Sequence, residues 1–121
     1  HVLAMDGEIS AEELQSLLEA DEDVRIVDIR SPAAFERGHI PGSECIPFGD
    51  LPKSVDQLEG ADRVVTVCPH GQASVKAARL IAAHEAFDGR VDSLKGGLTA
   101  WDGPIEAAAE QSSDDGPDAP F

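Results

Sequence analysis

At 121 residues the chain has room for one domain with a single core, and its 41% hydrophobic and 27% charged residues describe a soluble globular protein. No apolar run approaches the roughly 20 residues of a membrane span, and a net charge of −15 repels nucleic acid and anionic membranes, so neither is expected as a partner. Two cysteines are too few for a disulfide framework, which makes a reduced, cytoplasmic setting the expectation.

The opening "HVLAMDG" has no basic stretch followed by an apolar core, so it is not read as a secretory signal. Ser10 and Glu13 form a capping box that opens a helix over "AEELQSLLEA", with Leu14, Leu17 and Leu18 on one face. "VRIVDI" (24–29) predicts a strand rich enough in Val and Ile to be buried on both faces. A short helix is expected at "AAFER", a short strand at "SECI" ending before Pro47, and a second small helix at "SVDQLEG". "RVVTV" (63–67) and "RVDSL" (90–94) read as further core strands, with the longest helix between them over 74–86 and a short one at "LTAWDG". This alternation predicts an α/β sandwich on a mainly parallel sheet. The folded body is expected over 1–111. An acidic, disordered tail is expected over 112–121, where the composition turns to Ser, Asp, Gly and Pro.

That tail holds only Asp114, Asp115 and Asp118, so the body keeps about −12. Such a surface suits concentrated salt, where the Debye length falls to about 3 Å at 1 M, and a halophilic cytoplasm is the expectation. No cysteine pair has metal-ligand spacing and His39, His70 and His84 form no compact cluster, so neither metal nor other cofactor is expected.

Chemistry concentrates at Cys68, between "RVVTV" and the long helix. In a parallel α/β fold ligands sit beyond the carboxyl ends of strands, and a helix N-terminus there stabilises anions. That setting lowers a thiol pKa from about 8.5 toward 7 or below, and Gly71 allows the positive φ that brings backbone close to sulfur. Spacing alone leaves three readings open. Cys68 is a thiolate nucleophile, or the loop holds a bound anion, or the cysteine is a small apolar residue closing a buried strand.

Three segments together resemble the rhodanese domain in that family's order: "VDIRSPAAFERGHIPGSECIP" (27–47), "CPHGQAS" (68–74) and "GGLTAW" (96–101). The resemblance runs from about Ile9 to Gly103 and is closest to the single-domain thiosulfate sulfurtransferases, with their Cys-x-His-Gly loop. It implies a three-layer α/β sandwich on a five-stranded parallel sheet. It implies that Cys68 takes sulfane sulfur from thiosulfate or a persulfide donor and hands it to cyanide, a thiol or a thioredoxin-like carrier. Cys68 matches the family nucleophile, and Pro69, His70, Gly71, Gln72, Ala73 and Ser74 form the loop that cradles the persulfide.

The loop departs from the family at Ala73, where many members carry arginine, and at Pro69, which has no N–H to offer. Positive charge is then expected from Lys76 in the first helical turn or from protonated His70. Asp28 and Arg30 match the family's D-x-R and are expected to brace the loop around the site. His39 is assigned to a structural turn, Arg37 to the surface, Cys45 to a half-buried strand and Trp101 to the core. Phosphatases and arsenate reductases of this fold use a loop one residue longer that ends in arginine. Here that position is Ser74 and the next arginine is Arg79, which disfavours phosphoryl chemistry. A non-catalytic binding or sulfur-carrying module is the remaining alternative.

Overall fold

The computed structural model describes residues 7–20, 23–84, 87 and 89–106. In chain order the regular elements are β1 (Gly7–Ile9), α1 (Ala11–Glu19), β2 (Arg25–Asp28), α2 (Pro32–Arg37), β3 (Glu44–Cys45), α3 (Leu51–Ser54), β4 (Arg63–Val67), α4 (Ala73–Ala82) and β5 (Arg90–Leu94). Single 3₁₀ turns occupy Phe48–Asp50, Val55–Leu58 and Gly97–Ala100. The capping box closes as expected, with the Glu13 N–H on Ser10 Oγ at 3.1 Å and the Ser10 N–H on Glu13 Oε1 at 3.2 Å. Ser31 caps α2 in one direction only, accepting from the Ala34 N–H at 3.2 Å, and Pro32 adds a pre-set φ to its first turn.

The five strands form one parallel sheet in the order β1-β5-β4-β2-β3, with β4 at its centre. A run of β-branched residues forms such a strand because both of its faces are covered. Along β4, Val64 packs with Val27, Val91, Leu51, Val55, Leu58 and the α4 residues Ala77, Ala78 and Ile81. The opposite face places Val65 and Val67 with Ile26, Leu94, Leu14 of α1, Ile40 and Trp101. Alanines at 77 and 78 let α4 lie close against the sheet. The three layers of the α/β sandwich follow from these two apolar faces.

Four local expectations shift. β1 has no counterpart in the sequence reading; its pairing with Asp92–Leu94 makes it a strand. The small helix expected from Ser54 begins earlier, at Leu51, and continues as a 3₁₀ turn over Val55–Leu58. The long helix ends at Ala82, short of 86. "LTAWDG" forms a 3₁₀ turn over Gly97–Ala100 rather than a helix extending to 103. The expected tail, 112–121, lies outside the described residues. Among the described residues no helix is long and apolar enough to cross a membrane.

Candidate active site

Cys68 leaves the carboxyl end of the central strand and is 2% exposed. The chain then turns sharply, Gly71 taking a φ of 88°, and enters α4. The turn brings Sγ under two backbone donors, the Gly71 N–H at 3.0 Å and the Ser74 N–H at 3.3 Å, and the thiol itself donates to Ser74 Oγ at 3.4 Å. Burial pushes the Cys68 thiol up. The Ser74 hydroxyl and the N–H groups of Ser74, His70 and Gly71 outweigh it and hold the thiol below its ordinary value of 9.0. Gln72, at the N-cap of α4, makes no side-chain cap bond, so the sulfur itself takes the Ser74 N–H of the first turn.

The loop amides face the sulfur because the loop carbonyls are engaged elsewhere. Leu98 donates its N–H to the Cys68 carbonyl at 2.8 Å, and Thr99 donates to the Pro69 carbonyl at 3.1 Å. Both donors come from the turn after β5, and two glycines let it approach. A Cβ at Gly97 would fall 2.3 Å from the Cys68 carbonyl oxygen and 2.5 Å from the Gly71 nitrogen. A Cβ at Gly71 would fall 2.8 Å from the Gly96 nitrogen. The "CPHG" and "GGL" segments are thus two halves of one backbone structure. Pro69 costs the cradle nothing, since the amides bonded to Sγ belong to Gly71 and Ser74.

Ser74 is fixed from two strands. Thr66 Oγ1 donates to the Ser74 carbonyl at 2.7 Å, and Ser93 Oγ lies 2.7 Å from Ser74 Oγ. Thr66 and Ser93 are register partners across β4 and β5, so both point toward α4. All three residues are fully buried. Sequence reading passed over Thr66 and Ser93; hydroxyls near the carboxyl ends of two strands with otherwise largely apolar ends were the available signal.

Pro69, His70, Gln72 and Ala73 are exposed around the loop mouth, and Lys76 is exposed in the first turns of α4. Asp28, 1% exposed, receives Arg30 on both carboxylate oxygens, the closest contact being 2.7 Å. Arg30 also donates to the Gly38 carbonyl at 2.6 Å. The pair therefore ties the end of β2 to the turn after α2. His39 stacks on Phe35 with ring centroids 3.8 Å apart, and its Nδ1 meets the Phe35 carbonyl at 2.7 Å. Cys45 is half-buried on β3, and burial pushes its thiol up. Trp101 is buried, its indole N–H donating to the Pro104 carbonyl at 2.9 Å.

A buried thiol held below its usual pKa by inward donors ionises more readily than a free cysteine. Comparison with known proteins bears on its use. The Rhodanese-like domain family matches residues 10–103. The thiosulfate sulfurtransferase GlpE of Pseudoalteromonas translucida is 36% identical over 74% of this chain and 84% of its own length. A sulfurtransferase of Allochromatium vinosum is 35% identical over 80% of this chain and 89% of its own. The crystal structure of a rhodanese-like domain protein from Staphylococcus aureus superposes with a TM-score of 0.75 at 27% identity, covering 85% of this chain and 98% of that one.

Proposed function

The chain belongs to the rhodanese-like domain family, and from that premise we propose that it is a sulfurtransferase in which Cys68 carries the transferred sulfur as a persulfide. The observation that carries the proposal is the convergence of the Gly71 N–H, the Ser74 N–H and the Ser74 hydroxyl on one buried sulfur. Thiolate is the nucleophilic form, and this ring favours it.

With thiosulfate as donor, the Cys68 thiolate attacks the outer, sulfane sulfur. A new S–S bond forms, the old one breaks, and sulfite leaves with the bonding pair. Cys68 is left as a persulfide anion. An acceptor nucleophile, cyanide or a thiolate on a small molecule or a thioredoxin-like carrier, then attacks the terminal sulfur and releases the Cys68 thiolate. Neither half-reaction requires an external oxidant or reductant.

With alanine at position 73 the loop lacks a guanidinium for the sulfonate, so a persulfide donor fits this loop better than thiosulfate. The exposed Lys76 of α4 is a local source of positive charge for an anionic donor, and the exposed His70 offers a ring nitrogen for a hydrogen bond to it. The chemistry needs a reduced thiol, consistent with a cytoplasmic setting, and the acidic surface with a halophilic one.

Mass spectrometry of protein incubated with thiosulfate, or with a small-molecule persulfide, tests the proposal. The wild type gains about 32 Da, one sulfur atom, which a thiol reductant removes and Cys68→Ala never acquires. No adduct with any sulfane donor would leave the fold as a binding module.

A further inference from the structure

The Ser93 hydroxyl is buried on β5, and among the described residues its hydrogen-bond partner is Ser74 Oγ at 2.7 Å. Ser74 Oγ in turn lies 3.4 Å from Cys68 Sγ. The three groups form a line, Ser93 to Ser74 to Cys68, closed off from water. From this line we infer that Ser93 is a positioning residue that orients the Ser74 hydroxyl toward the Cys68 sulfur and so favours the thiolate.

Counting protons along the line gives the reason. With Cys68 a thiol, the line holds three protons. S–H donates to Ser74 Oγ, the Ser74 O–H donates to Ser93 Oγ, and the Ser93 proton has no acceptor within the line. As a thiolate, Cys68 releases its proton to water and both hydroxyls reverse. Ser93 then donates to Ser74 and Ser74 donates to sulfur, so both remaining protons are used. With the sulfur ionised every donor in the line is met, and the Ser93 O–H, by donating into Ser74 Oγ, polarises the Ser74 O–H toward the sulfur, an effect that Ser93→Ala removes. Thr66 strengthens the constraint by fixing the Ser74 carbonyl at 2.7 Å.

The ionisable groups on the surrounding elements leave this role to the hydroxyls. Asp28 on β2 is held by Arg30 at 2.7 Å, and Asp92 on β5 by Arg63 and Arg90 at 3.2 and 3.0 Å. His70 of the loop and Lys76 of α4 are exposed.

The inference rests on Cys68 being the nucleophile, yet its test reads ionisation rather than sulfur transfer. In a Cys45→Ser background Cys68 is the only thiol, and its rate of alkylation by iodoacetamide is followed against pH. Ser93→Ala is expected to move the midpoint upward, slowing alkylation about 3–10-fold below the midpoint while leaving the high-pH plateau unchanged. Ser93→Thr, which keeps a hydroxyl, is expected to restore the profile. In a Ser74→Ala background the Ser93→Ala change is expected to have no further effect, because Ser93 acts through Ser74. A folded Ser93→Ala protein with the parental midpoint overturns the inference, as does an equal shift in the Ser74→Ala background. Should Ser93→Ala not fold, wild-type protein labelled at serine Cβ with carbon-13 supplies the answer by NMR. The Ser93 resonance titrates with the Cys68 midpoint if its hydroxyl reverses, and a flat Ser93 resonance overturns the inference. Failure of every sulfane donor to load Cys68 would sink the sulfurtransferase reading and leave this result standing.

Discussion

Leu98 donates its N–H to the carbonyl of Cys68 at 2.8 Å, so the turn after β5 grips the backbone of the reactive residue itself. Gly97, one residue earlier, makes this contact sterically possible.

Gly97→Ala is expected to be far more damaging than Gly42→Ala. Both positions have positive φ, 64° and 83°, and share a backbone cost of about 1–2 kcal/mol. At Gly42 a new Cβ meets nothing within 4 Å, whereas at Gly97 it overlaps the Cys68 carbonyl and the His70 and Gly71 amides. Thermal melts of the two variants should therefore separate clearly, and Gly97→Ala should also lose rapid alkylation of Cys68.

The depressed Cys68 pKa sets the sign of a pH effect on stability. A thiol that ionises more readily when folded adds stability that is fully present above the ordinary value of 9.0 and is lost as pH falls through the folded value. The stability difference between wild type and Cys68→Ser should thus grow as pH rises from about 6 to about 9. Cys45 titrates in both proteins and cancels. Urea denaturation across that range measures the slope; a difference that shrinks with pH contradicts the assignment.

Arg30→Met leaves the buried Asp28 carboxylate without its cation and should cost about 3–5 kcal/mol. The double variant Asp28→Asn with Arg30→Met should recover much of that loss. Because Arg30 bonds to Asp28 and Gly38 rather than to the cysteine loop, alkylation of Cys68 in folded Arg30→Met should stay within about twofold of wild type.

The net charge of −15 predicts a salt response that depends on the donor. Raising potassium chloride from about 0.05 M to about 1 M should increase kcat/KM several-fold for dianionic thiosulfate and change it less than about twofold for an uncharged persulfide donor. The melting temperature should rise over the same range. A protein that melts no lower in about 0.1 M than in about 2 M salt is not adapted to a halophilic interior.

Legibility followed where the physics is local. β4 and β5 lie where "RVVTV" and "RVDSL" place them, because runs of buried β-branched and small residues carry their own signature. Gly7–Ile9 carries none: three residues with one buried side chain become a strand only by pairing with β5. The long helix stops early because Phe87 is buried in the core and its N–H takes the His84 carbonyl at 3.1 Å, a tertiary demand that the alanine-rich pattern does not show. Cys68 was visible as a cysteine between strand and helix. Ser93 was not, since its meaning lies in being beside Thr66, 27 residues earlier in the chain, on a neighbouring strand.

The starts of α1 and α2 are written locally, each by a serine one residue before the helix. The start of α4 is finished by a sulfur six residues upstream of the amide it accepts. One atom therefore serves two masters, the helix that needs an acceptor and the reaction that needs a nucleophile. An engineer who re-tunes that thiol also re-tunes the helix, and a graft of the loop onto another scaffold must bring the first turn of α4 and the glycine pair after β5 along with it.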